Sequence, residues 1–308
     1  ALRARDEPPV ADTPFKNVLL FVHCRFLVHK NVKRSERICR EREPLFQKYR
    51  RFFPDVVFAT GKECPRHPTD PHHCLAELIA NQRPQRAAHA APGPAGAEPT
   101  RGRAADRGGI FYMRFDALIR PRRLAVGFDR TAMGSFSEAR SCGIDQRGGQ
   151  VDCSWPSWTV PKARDFQGAV RALRDTSADF RTLDDTHFFI GEDDLFYLPR
   201  SVFPLYGTLV GPFDQGAVPK EVAGPTIRHF LQLLTGVKLV SLACTGSCCE
   251  KVGQEVMLAP DFRCGHPIRL NEPNITESAA LAISLFRQTD GPDLSHDVLE
   301  QLVDEALA

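Results

Sequence analysis

The run Asn17-Val18-Leu19-Leu20-Phe21-Val22-His23-Cys24 is apolar at nearly every position, and it constrains the fold more than any other feature of the chain. A strand with one wet face alternates polar and apolar residues, whereas a strand apolar on both faces has to be covered on both. A second short run, Pro54-Asp55-Val56-Val57-Phe58-Ala59-Thr60-Gly61, ends on glycine. Between the two, Ser35 to Phe53 is basic and helical in pattern, with Ile38, Leu45, Tyr49 and Phe52 near one face and Pro44 as a kink. Strand, helix, strand at this spacing is a βαβ unit. The expected class is therefore α/β, a mostly parallel central sheet with helices on both faces.

The third strand-like run carries chemistry. In Gly109-Ile110-Phe111-Tyr112-Met113-Arg114-Phe115-Asp116-Ala117-Leu118-Ile119-Arg120-Pro121, the apolar segment Ile110 to Met113 delivers one carboxylate, Asp116. Apolar character then resumes until Pro121 stops it. A carboxylate at the end of a core strand is unfavourable unless a cation or a hydrogen-bond donor meets it. In open α/β sheets, ligands and metals are held at the carboxyl ends of strands. The plainer alternative pairs Asp116 with Arg114 or Arg120 at the sheet edge.

Composition sets outer bounds. The 308 residues are 42% hydrophobic and 25% charged, enough for a sizeable core. A net charge of +2 gives no argument for nucleic acid or for an anionic membrane surface. No run of about 18 apolar residues occurs, and Ala1 to Glu7 has neither an apolar signal region nor an initiator Met. Membrane attachment is expected only through a segment absent from this chain. The ten cysteines point to an oxidising compartment, with Cys64/Cys74 and Cys142/Cys153 as loop-closing pairs and the sequon Asn274-Ile275-Thr276 in accord. Reduced thiols and a zinc site built on Cys244-Thr245-Gly246-Ser247-Cys248-Cys249 and Cys64…Cys74 remain open alternatives.

Residues 1 to 16 read as a linker, residues 17 to 290 as one domain, and residues 291 to 308 as a C-terminal helix. Within the domain, residues 84 to 108 are rich in Ala, Pro, Gly and Arg and read as a disordered insertion. Gly127 to Gly149 reads as loop. Trp155 and Trp158, the protein's two tryptophans, sit in a loop where such side chains stack on sugars or fill a core gap. In Thr186-His187-Phe188-Phe189-Ile190-Gly191-Glu192-Asp193-Asp194-Leu195-Phe196-Tyr197-Leu198-Pro199, three consecutive acids lie between two strand-like runs. Glu221 precedes an apolar helix reaching Leu234, and Cys264-Gly265-His266-Pro267 follows a further strand, Val237 to Leu242.

The order of Gly109 to Pro121, Asp193 to Pro199 and Glu221 to Ile227 resembles the GT-A type glycosyltransferases, a Rossmann-related group, and within them exostosin-like and STELLO-like proteins. The resemblance spans residues 17 to 270 at the level of pattern. It implies transfer of a sugar from a nucleotide-sugar donor to a glycan or glycoprotein acceptor in the Golgi lumen or another secretory compartment, with manganese as the expected divalent metal. By the same resemblance Asp116 and Arg114 meet the donor, Asp116 and His266 hold the metal, and Trp155 and Trp158 stack on the acceptor. Asp194 is the preferred catalytic base, with Asp193 and Glu221 as the other catalytic carboxylates; Glu221 also suits acceptor hydroxyls.

One departure stands out. The family's Asp-x-Asp reads Arg114-Phe115-Asp116 here. Either Arg114 neutralises the diphosphate directly, or His266 completes a metal site with Asp116. The departure equally allows a catalytically inactive glycosyltransferase-like binding or scaffold protein. A two-metal nuclease or phosphatase built on Asp116, Asp193 and Asp194 lacks suitably spaced histidines. A thiol enzyme built on His23 and Cys24 fails because adjacent strand residues face opposite ways.

Overall fold

A computed structural model of the protein describes residues 15–24, 32–60, 70–81, 108–144, 160–246, 252–259 and 261–268. The strands are β1 (Val18–His23), β2 (Asp55–Ala59), β3 (Gly109–Arg114), β4 (Leu118–Ile119), β5 (Met133–Ser135), β6 (Arg140–Gly143), β7 (His187–Ile190), β8 (Leu195–Pro199), β9 (Leu239–Ser241) and β10 (Cys264–Gly265). The helices are α1 (Val32–Gln47), α2 (Pro71–Asn81), α3 (Pro121–Ala125), α4 (Val160–Thr176), α5 (Phe203–Gln215), α6 (Lys220–Thr235) and α7 (Gln254–Leu258).

Six strands form the central sheet in the order β2-β1-β3-β8-β5-β9. β1 lies between β2 and β3, parallel to both, as the βαβ spacing predicts. β8 alone runs against its neighbours β3 and β5, while β9 is parallel to β5. The sheet is thus mixed and mostly parallel. Two small ladders flank it, β4 with β10 and β6 with β7, both antiparallel.

The continuous apolar runs do what their composition requires. Along β1, Leu19 and Phe21 join one buried cluster, while Val18, Leu20 and Val22 join another. Alternate side chains leave opposite faces of a strand, so both faces are covered. Tyr112 and Phe196, paired across β3 and β8, face the first cluster, where α2, α4, α5 and α6 pack. Their rings stack with centroids 4.6 Å apart. Phe111 and Tyr197 face the second cluster, with Leu45 and Phe46 of α1 and with Tyr49 and Phe53 beyond it. Pro44 sits inside α1.

The loop expectation for Gly127 to Gly149 needs correction. That stretch holds β5 and β6, and β5 is an inner strand of the main sheet. Its Met-Gly-Ser core offers neither an apolar run nor an alternation, and tertiary context decides it. The segment after Asp116 is a two-residue strand whose partner, β10, lies far along the chain.

Two disulfides are in place, Cys24–Cys39 and Cys244–Cys264. Cys74 and Cys142 are also disulfide-bonded, while Cys64 and Cys153, the partners expected for them, lie outside the described residues. The bonded cysteines fit an oxidising compartment and leave a zinc role for Cys244 without a thiolate. Among the described residues no helix is long and apolar enough to cross a membrane. The linker up to residue 14, most of the insertion, both tryptophans, the sequon and the C-terminal helix also fall outside the described residues.

Candidate metal centre

The site is assembled where β3 ends. Because β8 runs antiparallel to β3, with Met113 opposite Leu195, the residues that precede β8 lie beside those that follow β3. The Arg114 amide donates to the Asp194 carbonyl at 2.8 Å, which fixes that juncture. From another direction, β10 pairs with β4, and the Ile268 amide donates to the Asp116 carbonyl at 2.7 Å. His266 is thereby carried to Asp116 from 150 residues away in sequence, as the difference 266 − 116 gives.

Asp116, Asp194, Arg114 and His266, all expected to act together, do converge. Arg114 spans the two carboxylates, its Nε 3.1 Å from Asp116 Oδ1 and one terminal nitrogen 3.2 Å from Asp194 Oδ1. His266 Nε2 lies 3.4 Å from Asp116 Oδ1, and its Nδ1 lies 3.5 Å from Asp194 Oδ2 and 4.0 Å from Glu192 Oε2. Glu192, Asp194 and His266 each bring a ligand atom within 4.8 Å of the others, a spacing able to hold a metal ion.

The imidazole is the informative group. His266 is 3% exposed, packed edge-on against Phe136, and neither ring nitrogen makes a hydrogen bond. Asp116 Oδ1 is buried and likewise accepts no hydrogen bond of proper geometry, although charged groups lie close. Buried polar atoms left this way cost about 1–3 kcal/mol each and ask for a partner. A cation at the centre of these atoms supplies one. On that ground the residues fit a metal ion.

Two basic residues balance the acids. Lys220, at the start of α6, places Nζ 2.6 Å from Asp194 Oδ1 and 3.7 Å from Glu221 Oε1. Burial opposes ionisation of Asp194, but Lys220, His266 and Arg114 outweigh it and hold that carboxyl well below the usual range. Arg114 and Lys220 are in turn held protonated: burial works against their charge, and the carboxylates beside them more than offset it. Glu221 occupies the first turn of α6, where its carbonyl accepts the Gly191 amide at 3.1 Å.

Asp193 goes elsewhere. One oxygen lies 2.6 Å from an Arg228 nitrogen and the other 2.5 Å from His72 Nε2, while His72 Nδ1 lies 2.7 Å from the Tyr206 hydroxyl. Asp193, His72 and Arg228 are all at most 3% exposed. Both His72 and the Arg228 guanidinium lie against Phe196. A Cβ at Gly224 would collide with the Asp193 carboxylate, so a glycine on α6 admits the acid. With both oxygens engaged, Asp193 is built as a buried structural ion pair.

Sequence reasoning passed over Lys220, His72 and Arg228, and saw Glu192 only as part of an acidic triplet. Two of them left a signal. Lys220 puts a cation at a helix N-terminus, against the macrodipole, which asks for a nearby acid. Arg228 interrupts the apolar face of α6, and a buried arginine needs a partner. A further group, Asp70, His73 and Asp214, also has ligand atoms within 4.8 Å but is more open. Asp70 and Asp214 line a cavity of about 480 Å³ beside Lys220.

Compared with protein families, with curated proteins and with solved structures, the chain matches none.

Proposed function

We propose that the protein is a divalent-cation-dependent glycosyltransferase that takes a nucleotide-sugar donor and a glycan or glycoprotein acceptor. The observation that carries the reading is the buried His266 imidazole, without hydrogen bonds, among Asp116, Glu192 and Asp194 at the carboxyl end of β3. A site outside the carboxyl ends of parallel strands is where open α/β folds take nucleotides. The GT-A resemblance of Gly109 to Pro121, Asp193 to Pro199 and Glu221 to Ile227 supports a sugar–diphosphate donor over other phosphorylated substrates.

Bound there, a divalent cation supplies charge stabilisation as the sugar–phosphate bond breaks. The chain's own residues divide the remaining work. Asp116, Glu192, Asp194 and His266 hold the cation. Arg114 and Lys220 lie beside the same carboxylates and stay charged, which suits them to neutralise the diphosphate oxygens. A carboxylate held well below its usual pKa is a weak base, which turns Asp194 from proton acceptor to ligand. Glu221, part-exposed and next to Lys220, is then the carboxylate that takes the acceptor hydroxyl proton. A panel of nucleotide sugars with manganese tests this: donor hydrolysis is expected for at least one donor, with a drop of about 100-fold or more in Asp116→Ala. No turnover and no nucleotide binding with any donor would end the enzyme reading.

The inactive, binding-only reading draws on one observation, the two cations already set on Asp194 Oδ1. It predicts nucleotide diphosphate binding that does not depend on added metal.

A further inference from the structure

His266 owes its place to a clip of two chain segments. Cys244 is bonded to Cys264. The Thr245 amide donates to the Cys264 carbonyl at 2.8 Å, and the His266 amide donates back to the Thr245 carbonyl at 3.1 Å. Val252 donates to the Pro267 carbonyl at 3.1 Å, one residue beyond the histidine. Gly246 closes the clip with φ +106°, a conformation side chains resist, and a Cβ there would collide with the His266 carbonyl. The base of the clip is anchored in the sheet, since Leu242 and Cys244 donate to Ser135 and Phe136 at 2.8 Å and 3.0 Å. By contrast, the β-ladder that brings His266 to Asp116 is only two residues long, β10 against β4. So short a ladder does not define an imidazole's position by itself.

We infer that the Cys244–Cys264 disulfide, with the Gly246 turn, is the positioning element that sets the metal affinity of the candidate centre by holding His266 against Asp116 and Asp194. Cys244 and Cys264 touch neither metal nor substrate; they act through His266. The inference rests on the metal-centre reading and adds a dependence on oxidation: the centre is complete only when this one bond is formed. Cys24–Cys39 gives a matched control, closing 15 residues of sequence against 20 and lying outside the two segments that carry His266.

The test measures Mn²⁺ affinity, and separately the visible spectrum with Co²⁺ in place of Mn²⁺, for the native protein, Cys244→Ala/Cys264→Ala, Cys24→Ala/Cys39→Ala, Gly246→Ala and His266→Ala. Affinity is expected to fall about tenfold or more in the Cys244/Cys264 variant and in Gly246→Ala, the scale for disturbing a ligand's support. Their cobalt spectra should approach that of His266→Ala, which loss of stability alone would not produce. The Cys24/Cys39 variant should keep the native affinity. Should the Cys244/Cys264 variant fail to fold, Gly246→Ala decides. Native affinity and spectrum in a folded clip variant would overturn the inference and leave the metal-centre reading standing. Absence of metal binding by the native protein would overturn both.

Discussion

Asp193 and Asp194 are neighbours in sequence and opposites in circumstance. Asp193 is enclosed between His72 and Arg228, each oxygen matched at 2.5–2.6 Å, and a glycine of α6 makes room for it. Asp194 joins a group in which acids, bases and an imidazole sit at 2.6–4.0 Å, with both imidazole nitrogens outside any hydrogen bond. One region is closed and the other is incomplete. A fold gains stability from matched pairs, whereas unmet buried groups persist where a ligand completes them. The contrast, more than the presence of acids, separates scaffold from site.

The largest expected effect breaks the closed side. Arg228→Met leaves Asp193 buried with its charge half-matched and should cost about 3–5 kcal/mol in urea unfolding. His266→Gln, on the incomplete side, leaves no hydrogen-bond partner orphaned and should cost about 1 kcal/mol or less. If the two costs came out alike, the contrast would be gone.

Tyr49 probes the scaffold behind the site. Its hydroxyl donates to the Ile119 carbonyl at 2.8 Å and accepts the Ile119 amide at 3.0 Å, pinning β4 just beyond Asp116. Tyr49→Phe should cost about 1–3 kcal/mol, because both backbone groups lose their partner in a buried setting. A loss of metal affinity larger than this stability loss would mean that Tyr49 serves the site as well as the scaffold.

A modest effect is expected beside His72. Asp70 caps α2, accepting the amides of His72 and His73 at 2.8 Å and 3.0 Å. Burial opposes its ionisation, but His72, Asp214 and those two amides together lower its pKa. A carboxyl lowered in the folded state adds stability that is complete above its unfolded value, about pH 4, and is lost as pH falls through the folded value. Asp70→Ala should therefore cost about 1 kcal/mol at pH 7, with the gap to native narrowing below about pH 4. Thermal melts across pH 2–8 would reveal a gap that fails to narrow.

Much of the frame was readable from residues alone. The two-faced run of β1 required cover on both sides, and two buried clusters provide it. Asp116 at the end of β3 marked the site by its chemistry, whereas His266 was pointed to only by what the family resemblance implies. The antiparallel sense of β8 was not readable: Leu195 to Pro199 is apolar throughout, and a strand buried on both faces carries no mark of direction. Nor could the divergence of Asp193 and Asp194 be read, since identical side chains side by side acquire different roles through partners on α2, α6 and β3 and through His266 just past β10. Lys220 was overlooked because a lysine at a helix start looks like surface until the acid it meets is known.

The most direct measurement is Mn²⁺ titration followed by the loss of the free-ion paramagnetic resonance signal, comparing the native protein with Asp194→Ala, His266→Ala and Asp214→Ala. The account predicts one equivalent bound by the native protein, affinity reduced about tenfold or more by Asp194→Ala and by His266→Ala, and no change with Asp214→Ala at the more open cluster. Native binding that survives both Asp194→Ala and His266→Ala, or that disappears only with Asp214→Ala, would contradict it.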